Sequence, residues 1–244
     1  MRNNKNNLKV SLIVPAHNAE KAIFNSLTEY SKFLSSFCRD YEIIVVCNAC
    51  TDDTSDIVKN FTKKNKKIKC ITTLKSGKGL AVITGMKKAS YSIMGFMDAD
   101  NAFDLPSVKK MIQSLQDNKG EDCIIASKWL GRNIFQINEP LTRKILAIGW
   151  KALTILLFQM RFHDTQAGCK FLKKSAFDKI DKNFICEGFD FDVELLYKLK
   201  KKGFSIKEVN IPVSKAFGFS TFRLKYVPYM FFRLLKLRIN QSKK

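Results

Sequence analysis

Hydrophobic and polar positions alternate between two periods along the first half of the chain. Short apolar runs stand at residues 10–14, 41–46, 68–72, 92–97 and 123–127, bounded by Pro, Gly, Asn or Asp. Their length and composition predict strands, the first of them buried. Between them apolar residues recur at helical spacing. In residues 19–37 the set is Ala22, Ile23, Leu27, Tyr30, Phe33, Leu34 and Phe37. Helices are likewise predicted over 51–61, 79–89 and 105–116. Asp52 and Asp53 fall in the first turn of the second helix, and Asp104 stands as the N-cap of the fourth.

Strand–helix alternation over about 120 residues implies an α/β fold, with a mostly parallel central sheet and helices on both faces. In such sheets ligands collect outside the carboxyl ends of the strands. The informative stretches are therefore 15–20, 47–54, 75–79, 98–104 and the residues from 127 onward. Polar, acidic and glycine-containing positions cluster there. The second half is less regular. It predicts a long apolar helix or helix pair over 141–160, a turn and strand over 162–175, a helix over 189–201 and an alternating strand over 204–213. Residues 1–9 read as a disordered tail, 10–225 as one domain, and 226–244 as a basic amphipathic tail.

Charge changes the picture next. Lys and Arg total 43 against 22 Asp and Glu, a formal net charge of +21. Such an excess points to a polyanionic partner: nucleic acid, an anionic membrane surface, or phosphorylated substrates. Seven cysteines, an odd number, and no secretory leader predict reduced thiols in the cytosol. Cys47 and Cys50 lack the second pair that a zinc site wants. The apolar run 145–160 is interrupted by Lys151 and is shorter than the ~20 residues of a spanning helix.

Asp98-Ala99-Asp100 follows a strand. Two carboxylates at i and i+2 there can converge on Mg²⁺ or Mn²⁺ and leave positions for diphosphate oxygens; the plain alternative is an Asp-rich turn. Lys75-Ser76-Gly77-Lys78-Gly79 lies between a strand and a helix, where glycines admit close backbone approach and Lys supplies charge for phosphate. It is not a P-loop. Asp190, Asp192 and Glu194 enter a helix, where acids also simply suit the dipole. The two histidines, His17 and His163, lack metal-ligand spacing.

The order of these stretches carries a resemblance. Val14-Pro15-Ala16-His17-Asn18-Ala19-Glu20, then Cys47-Asn48-Ala49-Cys50-Thr51-Asp52-Asp53-Thr54, then residues 77–86, then Asp98-Ala99-Asp100 together resemble a family 2 glycosyltransferase of GT-A fold. Ala126-Ser127-Lys128-Trp129, Asp164-Thr165-Gln166-Ala167-Gly168-Cys169-Lys170-Phe171 and Gly188-Phe189-Asp190-Phe191-Asp192-Val193-Glu194 resemble the dolichyl-phosphate mannosyltransferase and polyprenyl-phosphate glucosyltransferase branch.

The resemblance implies that Pro15, His17, Asn18, Glu20, Asn48, Lys78, Asp98 and Ala99 bind a nucleotide sugar. It implies metal at Asp100 and Asp98, with Mg²⁺ or Mn²⁺ as cofactor, and acceptor phosphate at Lys128, Gln166 and Arg223. Asp190 and Asp192 join Asp98 and Asp100 as catalytic candidates, the former two as a base if one is needed. The chain departs from the family at His17 (usually Tyr), Cys47-Asn48 (usually Asp-Asp), Ala49-Cys50 (usually Gly-Ser), Ala102 (often Gln) and Lys128 (usually Arg).

The implied activity is inverting transfer of a hexose from a UDP- or GDP-sugar to a polyprenyl or dolichyl phosphate at the cytoplasmic membrane face. The protein would be peripheral on an anionic surface or recruit a separate membrane partner. The alternatives are a family 2 transferase acting on a saccharide or cell-surface glycan, and a non-catalytic descendant of a transferase. Nucleic acid is not expected as a partner, because the acids concentrate at the sheet edge where a basic groove would be needed.

Overall fold

The computed structural model describes residues 7–116, 120–131, 141–212 and 224–242. The first half follows the predicted order: β1 (Lys9–Ala16), α1 (Glu20–Phe37), β2 (Asp40–Asn48), α2 (Thr54–Lys64), β3 (Ile68–Thr73), α3 (Lys78–Lys88), β4 (Ile93–Met97), α4 (Leu105–Gln116) and β5 (Cys123–Ser127). Then come α5 (Leu141–Phe158), β6 (Cys169–Lys173), the short α6 (Lys174–Asp178), α7 (Phe191–Lys201), β7 (Ile206–Asn210) and α8 (Val227–Ser242).

Central strands read as continuous apolar runs because both sheet faces are covered. In β1, Leu12 and Val14 enter one core cluster and Ile13 the other. β2 repeats the division, with Ile43 and Val45 on one side and Ile44 and Val46 on the other. The first cluster is closed by Ile23, Leu27 and Tyr30 of α1 and by Val108 and Ile112 of α4. The second is closed by Val82 and Met86 of α3, Leu195 and Leu199 of α7, and Leu234 and Leu237 of α8.

The seven strands lie in the order β3-β2-β1-β4-β6-β5-β7. The sheet is parallel only in part, because β6 runs antiparallel to both β4 and β5. The reason is the α5 excursion. The chain leaves β5 at the carboxyl edge and returns to the sheet beside Met97, the last residue of β4, so β6 descends where the other strands ascend. Strand order reverses at β1, which lies between β2 and β4. Such a reversal opens a crevice at the carboxyl edge.

Some boundaries shift in ways that matter. α2 begins at Thr54, so Asp52 and Asp53 precede it instead of filling its first turn. Asp52 is recruited by its neighbours: its carboxylate accepts from the N–H groups of Glu20 and Thr54 at 3.1 Å each. Asp104 caps α4 as expected, accepting the Ser107 N–H at 2.9 Å. Within the stretch predicted as a basic amphipathic tail, Met230, Leu234 and Leu237 of α8 lie in the core, and the exposed side carries Tyr229, Phe232, Lys236 and Ile239. Burial of the 230/234/237 stripe leaves the opposite side of the helix to solvent.

Candidate active site

The carboxyl ends of β1, β2 and β4 open into a cavity of about 1630 Å³, walled on its far side by α5 and α8. A single small ligand takes ~300–1,000 Å³, so this one has room for two substrates. Pro15, His17, Asn18, Glu20, Asn48, Lys78, Asp98, Ala99, Asp100, Lys128 and Gln166 all line it. Thus residues from distant stretches of sequence are brought together as expected. Arg223 lies outside the described residues.

The Asp98-Ala99-Asp100 backbone is held from α1 below. Tyr30 Oη donates to the Asp98 carbonyl and Ser26 Oγ to the Ala99 carbonyl, each at 2.6 Å. Gly168, just before β6, takes the Asp98 N–H on its carbonyl at 3.0 Å. A Cβ on Gly168 would stand 1.8 Å from Asp98 Oδ2, so only glycine lets the carboxylate occupy its place. Lys78, opening α3, sets its ammonium 2.7 Å from Asp98 Oδ1. Burial works against the charged form of Lys78, but Asp98, Asp192 and Asp100 outweigh it and hold the ammonium above its ordinary value.

Asp100 is different. Its Oδ1 is buried without a hydrogen-bond partner. Burial first, and the neighbouring Asp98 second, push its carboxyl above the usual range. A buried orphan oxygen beside a second carboxylate fits a hard divalent cation, which relieves both. Among the described residues no cluster of three or more His, Cys, Asp or Glu side chains forms a ready-made metal cage. Asp98 and Asp100 are the residues that would hold such an ion, and water and other oxygen ligands would complete its shell.

The uncharged Cys47-Asn48 position has its own logic. Asn48 clamps the loop before α3: its Nδ2 donates to the Gly77 carbonyl at 2.7 Å and its Oδ1 accepts the Gly77 N–H at 3.3 Å. Gly77 takes φ 154°, and a Cβ there would meet the Glu187 carbonyl at 2.5 Å. His17 Nδ1–H donates to the Asn48 carbonyl at 2.7 Å, tying β1 to β2. Ala49, standing where the family uses glycine, sits at φ 47°; Asn18 and Asn101 hold φ 48° and 49°. Left-handed backbone thus gathers at the ends of β1, β2 and β4, the pattern of a site whose loops are held in place by their surroundings.

Asp190 and Asp192 are not on the cavity wall. α7 starts at Phe191 and its first turn plunges into the second core cluster. Asp192 pairs there with Lys170 at 2.7 Å, both side chains almost wholly buried. Asp190 accepts the Gly188 N–H at 3.1 Å and lies 3.5 Å from Arg233 Nη1. Neither is therefore positioned as a base toward the cavity, because the turn that would expose them is the one that anchors α7. Asp164, buried at the cavity wall, braces the segment around Lys128 and Gln166: its carboxylate accepts the Gln166 N–H at 3.0 Å and the Lys128 N–H at 3.5 Å. Gln166 Nε2 donates to the Phe189 carbonyl at 2.8 Å.

Sequence spacing missed several lining residues. Arg233 reaches the cavity from α8, and Trp150 from α5, with its indole N–H donating to Thr165 Oγ1 at 3.2 Å. Tyr226 and Phe189 bring their rings to 5.7 Å. The basic-aromatic composition of the C-terminal stretch was the available signal for Arg233 and Tyr226. No periodicity pointed to Trp150.

Comparison with known proteins fits this geometry. The profile of glycosyl transferase family 2 matches residues 11–181. A dolichyl-phosphate β-glucosyltransferase of Drosophila melanogaster is 29% identical over 84% of this chain and 66% of its own length. One of Trichomonas vaginalis is 27% identical over 83% of this chain and 64% of its own. The chain therefore spans slightly under two thirds of the length of these relatives. Among solved structures, glucosyl-3-phosphoglycerate synthase of Mycobacterium tuberculosis in complex with UDP matches with a TM-score of 0.66 at 17% identity, over 95% of this chain and 79% of that one. The same enzyme with Mn²⁺ and UDP-glucose matches with a TM-score of 0.62 at 18% identity, over 93% of this chain and 76% of that one. At this identity the likeness establishes a shared α/β fold of GT-A type.

Proposed function

The chain belongs to glycosyl transferase family 2, related to the dolichyl-phosphate β-glucosyltransferases, and from that premise we propose that it transfers a hexose from a nucleoside-diphosphate sugar to a polyprenyl phosphate at a membrane face, inverting the anomeric centre. One observation supports this above the others. A single cavity joins a charged floor, formed by Asp98, Asp100 and Lys78, to a wall of apolar and basic helix, formed by α5 and α8.

The donor diphosphate belongs at the floor. Asp98 and Asp100 are the residues that would hold Mg²⁺ or Mn²⁺, which when bound supplies charge neutralisation for a leaving diphosphate. Lys78 adds a fixed positive charge beside Asp98. The acceptor belongs on the opposite side, near Lys128 and Arg233. Two phosphate groups brought together repel, and these cations offset that repulsion and orient the acceptor oxygen. A phosphate monoester loses its second proton near pH 6 (pKa about 6). Its oxygen is already anionic at neutral pH, so no carboxylate base is needed. That agrees with a reading in which the buried Asp190 and Asp192 take no part in proton transfer.

The membrane side rests on α5 and α8. Apart from Phe24 and Leu74, the exposed large hydrophobics among the described residues sit on these two helices: Leu141, Ile145, Ile148 and Leu156, and Tyr229, Phe231, Phe232 and Ile239. Neither helix carries an acid, while Lys144, Lys151, Lys236 and Arg238 supply positive charge. An apolar stripe edged with cations suits the interface of an anionic leaflet. Among the described residues no helix is long and apolar enough to cross a membrane.

The test is incubation with UDP-glucose, UDP-GlcNAc or GDP-mannose, polyprenyl phosphate and Mn²⁺ or Mg²⁺, reading sugar in the lipid extract. Label in the lipid fraction, lost in Asp100→Ala, is expected. Product formed only on saccharide acceptors would overturn the choice of acceptor.

A further inference from the structure

Cys47 of β2 and Cys70 of β3 bring their sulfurs to 3.9 Å across neighbouring strands. Both look to the same face of the sheet: Cys47 belongs to the first core cluster and Cys70 packs against it. Cys47 has no solvent exposure, whereas Cys70 is only partly buried. Cys50, the neighbour in sequence, turns its sulfur to the Ala16 carbonyl of β1 at 3.4 Å.

The two thiols are not equivalent. The Cys47 S–H donates to the Cys70 sulfur and holds the Cys70 thiol below its ordinary value. The same bond, and then burial, push the Cys47 thiol up. An accessible sulfur that ionises first, beside a sealed one that keeps its proton, is the arrangement of an attacking and a resolving thiol. β3 is the edge of the sheet and is bonded to β2 alone. It is therefore the strand free to shift the roughly 2 Å between this contact and an S–S bond of about 2.05 Å.

The pair stands one residue from the donor side of the cavity. Asn48 follows Cys47, clamps Gly77 through both ends of its amide, and takes the His17 Nδ1–H on its carbonyl. Asn48 is also in register with Thr73 of β3, whose carbonyl accepts the Ala49 N–H at 2.8 Å. A shift of β3 against β2 reaches this loop directly.

We propose that Cys47 and Cys70 are an oxidative modification site: a peroxide closes them to an intramolecular disulfide, which displaces Asn48 and weakens binding of the donor nucleotide. The effect on the donor rests on placing the nucleotide sugar in this cavity. The Cys70 thiolate attacks one peroxide oxygen, the O–O bond breaks, and hydroxide leaves with the proton that Cys70 released, as water. The Cys47 sulfur then attacks the sulfur of the Cys70 sulfenic acid. The S–S bond forms, the S–O bond breaks, and the hydroxyl departs with the Cys47 proton as a second water. Two thiols lose two electrons and the peroxide gains them.

The test treats the reduced, folded chain with hydrogen peroxide, blocks remaining thiols with iodoacetamide and maps peptides without reduction. A Cys47–Cys70 linkage is expected, reversed by dithiothreitol and absent in Cys70→Ser. Fragment ions must separate Cys47 from Cys50, because no Lys or Arg lies between them for trypsin to cut. A Cys47–Cys50 bond, or Cys70 passing to sulfinic acid with no linked peptide, would overturn the site. A second arm titrates UDP and GDP in Mn²⁺ before and after oxidation. Affinity should fall about fivefold in the wild type, at the low end of coupling between two sites, and stay constant in Cys70→Ser. Linked protein with unchanged affinity would overturn the coupling through Asn48. Reduced protein that binds neither nucleotide would count against the donor site itself, while the peptide map would still decide the disulfide.

Discussion

Lys78 Nζ lies 2.7 Å from Asp98 Oδ1, so the protein pairs Asp98 internally, while Asp100 keeps its buried Oδ1 without a hydrogen-bond partner. This division of labour between neighbouring acids follows from their supports. Asp98 is fixed by Tyr30, Gly168 and Lys78, whereas Asp100 keeps a buried oxygen without a partner.

Lys78→Met removes the charge that faces Asp98. Affinity for the donor nucleotide should fall about tenfold, equivalent to ~1.4 kcal/mol. Isothermal titration with nucleoside diphosphate and Mn²⁺ measures it, and wild-type affinity in the variant would contradict the role given to Lys78.

Gly168→Ala places a methyl group in the space of the Asp98 carboxylate. The carboxylate is a side-chain end that can swing away, so the fold should persist with a melting temperature near that of the wild type. Activity should fall on the order of a hundredfold, since a displacement of about 1 Å at a reacting centre has that effect. A fully active Gly168→Ala enzyme would mean that the orientation of Asp98 is unimportant.

Ala49→Gly should stabilise the protein. Ala49 holds φ 47°, a conformation that costs a non-glycine residue ~1–2 kcal/mol, partly offset by the roughly 0.5–1 kcal/mol of extra chain entropy that glycine loses on folding. A net gain of about 0.5–1 kcal/mol should appear as a higher urea midpoint at constant slope. A lower midpoint would refute the strain at this loop.

Asp40 supplies a pH dependence far from the site. Hydrogen bonds from Lys67 and then Tyr91 lower its carboxyl to about 2. A folded-state value below the unfolded one means that the contribution is present above pH ~4 and lost as pH falls toward 2. The pair is partly exposed, so after solvent screening it amounts to roughly 0.5 kcal/mol. The difference in stability between the wild type and Asp40→Asn should shrink across that window in acid-titrated thermal melts. A constant difference would assign the effect to packing.

Cys70 should be the most reactive thiol. Cys47 Sγ lies 3.9 Å from Cys70 Sγ, and its hydrogen bond lowers the Cys70 thiol to about 7. Iodoacetamide labelling should select Cys70, with a rate that rises to half its maximum near that pH. Cys47→Ala should move the midpoint up toward the ordinary value of about 8.5. Equal labelling of Cys70 and the buried Cys123 would argue against it.

The central strands were legible because their residues are buried on both faces, and continuous apolar runs such as residues 41–46 have few other uses. The paired acids were legible because they directly follow such a run. Arg233 and Trp150 were not, since each belongs to a helix whose sequence period says which residues share a face but not which face meets the cavity.

Local sequence by itself determined the order of strands and helices, the loops at which chemistry gathers, and the residue types available there, because these depend on short-range periodicity and on side-chain chemistry. Only the tertiary structure decided which acids face the cavity. Asp190 and Asp192 looked as available as Asp98 in the sequence. The descent of β6 against its neighbours brings Lys170 against Asp192, and the docking of α7 on α3 seals that pair, while Asp190 turns to the Gly188 N–H and Arg233. Burial and pairing are set by elements distant along the chain, and no local pattern records them.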